Sequence, residues 1–216
     1  MTPSPLDAAN APESGAVAHG RAASRDRLDA YLDLLEKWNR VYNLTAIRQR
    51  TEIETLHVQD ALAVLPWLPW NTRRVLDVGS GPGVPGIPLA LARPDTAFVL
   101  LDANSKKTAF LAQAVVELGL RNAEVVTARI EDFCPEQAFD VVIARAFSDL
   151  RTFAEAVHHV LAPGARMLAM KGALPIAEIA ALPSGIRVVE TPSVDVPGLA
   201  ADRHLIIMQE QQEMRS

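Results

Sequence analysis

The fourteen residues VLDVGSGPGVPGIP, at positions 75–88, restrict the fold more than any other part of the chain. An apolar run ends on Asp77, and glycines then fall at positions 79, 81, 83 and 86, interleaved with Pro82, Pro85 and Pro88. The apolar run reads as a strand, the glycines allow a tight backbone turn, and the residues from Gly86 onward read as a helix. Strand, glycine turn and helix in that order form the opening unit of a parallel α/β sheet.

The rest of the chain continues this rhythm. β-branched runs at 73–79, 96–104, 123–130, 139–147 and 165–172 alternate with helical stretches near 86–92, 105–119 and 149–162. Several runs are apolar on both faces, as a sheet covered by helices requires. Two further runs, 185–194 and 202–210, are joined by a Pro/Gly loop with no room for a crossover helix, so they must pair antiparallel. The expected fold is α/β and Rossmann-like, a mostly parallel seven-stranded sheet with an antiparallel terminal strand. That is the layout of class I S-adenosylmethionine (SAM) methyltransferases. Ahead of the sheet, Leu28, Tyr31, Leu32, Leu35 and Trp38 recur at helical spacing behind Ser24, a plausible N-cap. A second helix is expected over about 52–65, stopped by Pro66 and Pro69. The expected organisation is a disordered tail over 1–23, an N-terminal helical extension over 24–70, the methyltransferase-type domain over 71–210 and a short tail over 211–216.

At 216 residues, 49% hydrophobic and 22% charged, the chain has the make-up of one globular domain plus an extension. No apolar run reaches the roughly 18 residues of a membrane span. A cytoplasmic monomer is the expectation. The single cysteine, Cys134, rules out an internal disulfide framework and a cysteine-based zinc site, and is expected as a buried or half-buried filler. The net charge of −5 argues against bulk, non-specific nucleic-acid binding but leaves room for a local basic face.

The glycine loop admits two readings. Gly81, Gly83 and Gly86 match G-x-G-x-x-G, the dinucleotide fingerprint. Asp77, Gly79, Gly81 and Gly83 match the Asp-led triple-glycine loop of methyltransferases. A pyrophosphate needs a row of backbone N–H donors, and each proline deletes one. SAM carries an ammonium and a sulfonium and no phosphate, so it asks for close backbone approach and a carboxylate such as Asp77. On this reading the G-x-G-x-x-G match is incidental. Asp102, ending the second strand, can take ribose hydroxyls in either case. Ile130 and Glu131, after the third strand, are candidates to flank an adenine. Arg145 closes the fourth strand, where catalytic floors are built in such folds. His57 and Asp60 share a helix face and are expected as a hydrogen-bonded pair tying the N-terminal helices to the domain, with no metal role. Trp38, Trp67 and Trp70 are expected to pack. No [DNS]-P-P-[YFW] signature and no Pro-Cys nucleophile is present, which disfavours amino-directed and covalent base methylation.

Taken in order, KWNRVYNLTAI (37–47), HVQDAL (57–62), LDVGSGPGVPGIPLAL (76–91), LLDANSKKTAFL (100–111), ARIEDF (128–133), IARAFSDL (143–150) and MKG (170–172) resemble the bacterial 16S ribosomal RNA guanine-N7 methyltransferase family RsmG, also called glucose-inhibited division protein B. The likeness runs from about residue 28 to 208, with Ala103 standing where the family often has Ser. It implies SAM as donor and a guanine of the small-subunit rRNA, near the decoding centre, as acceptor. It also implies cofactor contacts at Gly79, Val84, Ile130, Glu131 and Arg145. Guanine N7 already holds an in-plane lone pair, so no general base is expected; Arg145 and Lys171 are assigned positioning roles. Lys106, Arg129, Lys171 and Arg203 are candidates to hold RNA. Two rivals stand beside this reading: an NAD-dependent oxidoreductase and a non-catalytic SAM- or RNA-binding assembly factor.

Overall fold

The structure is a computed structural model that describes residues 15–211, with side chains from residue 25 onward. Seven strands form one sheet in the order β3-β2-β1-β4-β5-β7-β6. They are β1 (Arg74–Val78), β2 (Ala97–Asp102), β3 (Ala123–Thr127), β4 (Phe139–Arg145), β5 (Leu161–Lys171), β6 (Ile186–Glu190) and β7 (His204–Glu210). The first five are mutually parallel, and β7 lies antiparallel between β5 and β6. The last strand in sequence, β7, is therefore internal to the sheet, and β6 and β3 are its two edges. Gln211, expected in the tail, extends the β7–β6 pairing by donating to the Gly185 carbonyl at 2.8 Å; residues 212–216 lie outside the described residues.

Strand side chains alternate between two cores, as the pleat demands. Val75, Phe98, Leu100, Val141, Ile143 and Leu168 face one layer. Leu76, Val99, Leu101, Val142, Met167 and Ala169 face the other. The first layer is closed by α1 (Gly15–Tyr42), α2 (Arg50–Ile53), α3 (Asp60–Leu62), α4 (Gly86–Ala92) and α5 (Ser105–Glu117). The second is closed mainly by α6 (Leu150–Val157) and the short α7 (Ile176–Ala180). α7 falls between the last parallel strand and β6, where no helix is expected from the sequence. Asn104 caps α5 by accepting from the N–H groups of Lys106 and Lys107, and Asp149 caps α6 through Thr152 N–H.

α1 begins at Gly15. Ser24 is thus inside the helix and is not its N-cap; residues 15–23, expected in a tail, belong to the helix, and 1–14 lie outside the described residues. The extension does not stand apart from the sheet. Tyr31, Leu32 and Leu35 are fully or almost fully buried in the same core as β1 and β2, and Trp38 meets Phe110 edge-on at 5.7 Å. Each such fully buried large side chain contributes about 1.5–3 kcal/mol. Trp67 is half-buried, but Trp70 is 89% exposed and Cys134 is exposed, against the packing expected of both.

α2 and α3 are joined end to end by a π-helical turn, Glu54–Gln59, which carries His57. Single π turns inside α-helices are frequent at functional sites. Here the turn buries His57 and Asp60 together against the end of β4.

Candidate active site

The strand order reverses between β1 and β4, and ligands of open α/β sheets bind outside the carboxyl ends of the strands at such a point. Asp77, near the end of β1, is fully buried. Its Oδ2 accepts the Gly86 N–H at 3.0 Å, while its Oδ1 has no hydrogen-bond partner among the described residues. Burial pushes its pKa up to about 7, against the opposing pull of the Gly86 N–H and the Arg145 charge. An unpaired, buried carboxylate oxygen of this kind calls for a cationic or donor ligand.

The loop that follows is held by its own hydrogen bonds. The N–H groups of Gly79 and Ser80 donate to the Leu101 carbonyl, and Gly81 N–H donates to Asp102 Oδ2 at 2.9 Å. Gly83 and Val84 donate to the Ser80 carbonyl, and Ile87 to that of Gly83. With Gly86 bound to Asp77 and Pro82 and Pro85 lacking an N–H, every loop amide from Gly79 to Ile87 is engaged internally or missing. No row of donors is left for a pyrophosphate, which argues against the dinucleotide alternative. Gly79 and Gly81 adopt φ of +71° and +56°, and a side chain at Gly79 would meet nothing within 4 Å. The backbone is therefore open to close approach beside the orphaned carboxylate. These features fit SAM.

As a dinucleotide signature the G-x-G-x-x-G match stays incidental, but its third glycine has a packing duty not expected from the sequence. A Cβ at Gly86 would stand 2.6 Å from Asp77 Oδ2 and collide with Leu100. Gly86 lets α4 lie directly on β1 and β2, the packing role of a third glycine in such loops. Asp102 likewise has a second duty. Its Oδ1 accepts the Asn104 N–H at 2.8 Å and Lys107 Nζ lies 3.6 Å from Oδ2, so it braces two loops. A carboxylate has about four lone-pair sites, which leaves acceptor capacity for a ribose. Ile130 is buried against the second core and Glu131 is exposed, both in a 3₁₀ turn after β3. Val84 is buried under the loop.

Arg145 ends β4, and Ala146 turns the chain with φ of +60°. The guanidinium reaches into the N-terminal extension: Nη1 donates to the Leu56 carbonyl at 2.7 Å and lies 3.5 Å from Asp60 Oδ2, and Nη2 meets His57 Nδ1 at 3.1 Å. Asp60 Oδ1 also accepts Arg203 Nε at 3.1 Å. His57 and Asp60 show no hydrogen bond to each other among the described residues, contrary to the expected pair; each meets Arg145 instead, and through that common partner they tie the extension to the domain. A cleft of about 460 Å³ opens here, lined among others by Ile47, Leu56, Ala146, Met170 and Gly172.

Three of the sequence candidates, Arg145, Lys171 and Arg203, converge on this cleft. Lys171 is half-buried and its Nζ donates to Glu178 Oε2 at 2.8 Å, so it is not a free cation. Lys106 and Arg129 are exposed and lie away from the cleft, near the β2 and β3 ends. Sequence reasoning missed Tyr31, Thr45 and Glu178. Their roles depend on partners distant in sequence, and no local motif signals them. Among the described residues there is no cluster of three His, Cys, Asp or Glu that could hold a metal ion, and no helix long and apolar enough to cross a membrane.

Comparison with known proteins agrees with the geometry. Solved structures with the same fold include a SAM-dependent methyltransferase from Aquifex aeolicus (TM-score 0.56, 21% identity, 73% of this chain and 92% of that one). Another is the glycopeptide N-methyltransferase MtfA with S-adenosylhomocysteine (TM-score 0.59, 14% identity, 71% and 90%). At these identities the likeness shows the fold alone. The ribosomal RNA small subunit methyltransferase G of Laribacter hongkongensis is 54% identical over 82% of this chain and 84% of its own length. That of Neisseria meningitidis serogroup C is 49% identical over 86% and 88%. The family model described as rRNA small subunit methyltransferase G matches residues 24–206, and the chain belongs to that family, GidB.

Proposed function

We propose that this SAM-dependent methyltransferase methylates N7 of a guanine in 16S rRNA near the decoding centre, with the acceptor base entering the cleft beside Arg145. The observation that carries the reading is the pairing of two sites. A loop with every amide engaged and one buried carboxylate oxygen unpaired suits a cationic, phosphate-free donor. Beside it lies a cleft lined by three cationic side chains and apolar walls. Bound SAM supplies a methyl group on a sulfonium, which leaves as S-adenosylhomocysteine after the methyl is passed on.

The residues around that methyl have orienting work and no proton to remove, because guanine N7 attacks through a lone pair it already has. Asp77 and the loop from Gly79 to Val84 hold the donor, with Asp102 at the ribose and Ile130 and Glu131 beside the adenine. Arg145 and Lys171 fix the acceptor side. Alignment of this kind lowers barriers by about 7–11 kcal/mol at its limit. Arg reads guanine through O6 and N7 together in nucleic-acid complexes; here N7 must stay free, so the cationic groups serve phosphates and O6. Lys171 and Arg203 hold RNA at the cleft and Lys106 and Arg129 at the outer rim. The protein works as a cytoplasmic monomer on the small ribosomal subunit or its rRNA.

The test is methyl transfer from labelled SAM to isolated small subunits, mapped by chain cleavage at N7-methylguanine. A single labelled guanine is expected. Binding of SAM with no incorporation would instead favour a non-catalytic assembly factor.

A further inference from the structure

The Arg145 guanidinium carries only donors, so every atom that meets it must accept. His57 Nδ1 lies 3.1 Å from Arg145 Nη2 and 3.0 Å from the Leu56 carbonyl, two contacts that ask for opposite protonation; the Leu56 oxygen already accepts from Arg145 Nη1 at 2.7 Å, whereas Nη2 has only an N–H to offer, so we read Nδ1 as the unprotonated ring nitrogen. The ring proton then sits on Nε2, which donates to Thr45 Oγ1 at 3.0 Å. The same Thr45 oxygen accepts the Ile47 N–H at 3.2 Å and keeps a second lone pair for His57; its own O–H would serve the other tautomer equally well, so the choice between them is made at Arg145. Thr45 is itself fixed, because its N–H donates to Asn39 Oδ1 at 2.9 Å and the Asn39 amide donates to the Ile47 carbonyl at 3.0 Å. A chain of directed bonds thus runs from α1 through the 43–49 loop and the π turn to the end of β4.

We propose that His57 is a positioning residue for methyl transfer: as the neutral Nε2–H tautomer, with Thr45 as partner of its Nε2, it accepts from Arg145 and sets the plane of that guanidinium in the acceptor cleft. The proposal rests on the reading of that cleft as the acceptor site. Three neighbours constrain Arg145 from the extension, and each does something different. The Leu56 carbonyl and Asp60 engage Nη1. Among the described residues His57 alone engages Nη2, and so fixes the remaining turn of the guanidinium about the Cδ–Nε bond. The charged groups near the ring are Arg145, Asp60 and Arg203, all in one network. Burial, then the Arg145 charge, lowers the His57 pKa to about 4, which agrees with a ring that stays neutral. The π turn has a reason on this account, since it aims the imidazole inward between α2 and α3.

The full-length enzyme is the material for the test, with kcat and KM measured separately for SAM and for small subunits. His57→Phe keeps the ring volume and removes both polar contacts. It is expected to lower kcat by about 10- to 100-fold, the cost of misplacing a reacting group by a fraction of an ångström to one ångström. His57→Gln offers an acceptor and a donor, and is expected to recover most of that loss. Nitrogen-15 NMR of the histidine-labelled wild type at pH 7 is expected to show His57 as the Nε2–H tautomer. Thr45→Val, which keeps the fold's shape at that position, removes the partner of Nε2 and is expected to lower kcat, with the tautomer still set at Arg145. A Phe variant as active as wild type, a Gln variant no better than Phe, or an Nδ1–H tautomer would overturn the proposal. Absence of methyl transfer by the wild type would strike the functional reading instead, and the tautomer measurement would still stand on its own.

Discussion

The phenol of Tyr31 donates a 2.7 Å hydrogen bond to the carbonyl of Pro82, fifty-one positions away in sequence. A side chain from the N-terminal helix thereby holds the tip of the cofactor loop. Tyr31 is fully buried, and burial raises its pKa, so the hydroxyl is a donor at every working pH. Tyr31→Phe keeps the packing and leaves the Pro82 carbonyl without this donor. The expected outcome is a stability loss of about 1–3 kcal/mol, the cost of an unsatisfied buried acceptor. SAM should also bind more weakly, since the loop loses its brace. Denaturant unfolding and calorimetric titration with SAM check the two effects separately.

Asp77 gives a pH dependence whose sign is fixed. Its folded pKa, about 7, lies above the ordinary value of 3.8. The folded state therefore keeps a proton that the unfolded chain loses, and stability falls as pH rises through the window from about 4 to 7. Binding of a cationic ligand to the unpaired oxygen favours the carboxylate, so SAM affinity rises across the upper part of that window and protons are released on binding. Asp77→Asn is expected to remove this part of the pH dependence of stability while weakening SAM binding at pH 8. Thermal unfolding against pH, with calorimetry in buffers of different ionisation heat, measures both.

The loop glycines separate by mechanism. Gly86→Ala places a methyl against Asp77 and Leu100, and is expected to destabilise the fold by about 1–3 kcal/mol through overpacking. A Cβ at Gly81 meets no such clash, its nearest would-be neighbour being the Gly79 carbonyl at 3.7 Å; Gly81→Val is the test. Its cost is the positive φ, and its side chain occupies the approach to the backbone. The expected result is a folded protein with SAM binding abolished. Unchanged SAM affinity in Gly81→Val would show that the donor lies elsewhere.

How much of this was legible in the sequence follows from the range of each interaction. The strands, α4, α5 and the glycine loop could be read because their signals are local: β-branched runs, helical spacing, and glycine where φ turns positive. α7 was invisible because its five residues carry no periodicity to detect. The position of β7 inside the sheet depends on its pairing with both β5 and β6, which no local pattern encodes. At the site, Asp77 and Arg145 were found because a charged residue ending an apolar strand is conspicuous. The duties of Gly86, Tyr31 and Asp60 are contacts made across the fold, and they appear only when the chain is folded.

Lys171 shows how such a contact changes a prediction. Read as a free cation, it would simply add one phosphate contact. In the structure Glu178 Oε2 accepts from both Lys171 Nζ at 2.8 Å and the Leu150 N–H at 2.9 Å. Glu178 thus pins α7 to the start of α6 and partly neutralises the lysine. Lys171→Met is expected to weaken RNA binding and to reduce the slope of log affinity against log salt by about 0.7–0.9, the release of one counterion. Glu178→Gln keeps the Leu150 contact and frees the lysine charge, so it is expected to strengthen RNA binding at low salt and to steepen the slope. The double variant should show no further gain over Lys171→Met, because the effect of Glu178 on RNA passes through the lysine. Filter binding of a small-subunit rRNA fragment across a salt series measures all three, and an affinity gain from Glu178→Gln that persists without Lys171 would break the link.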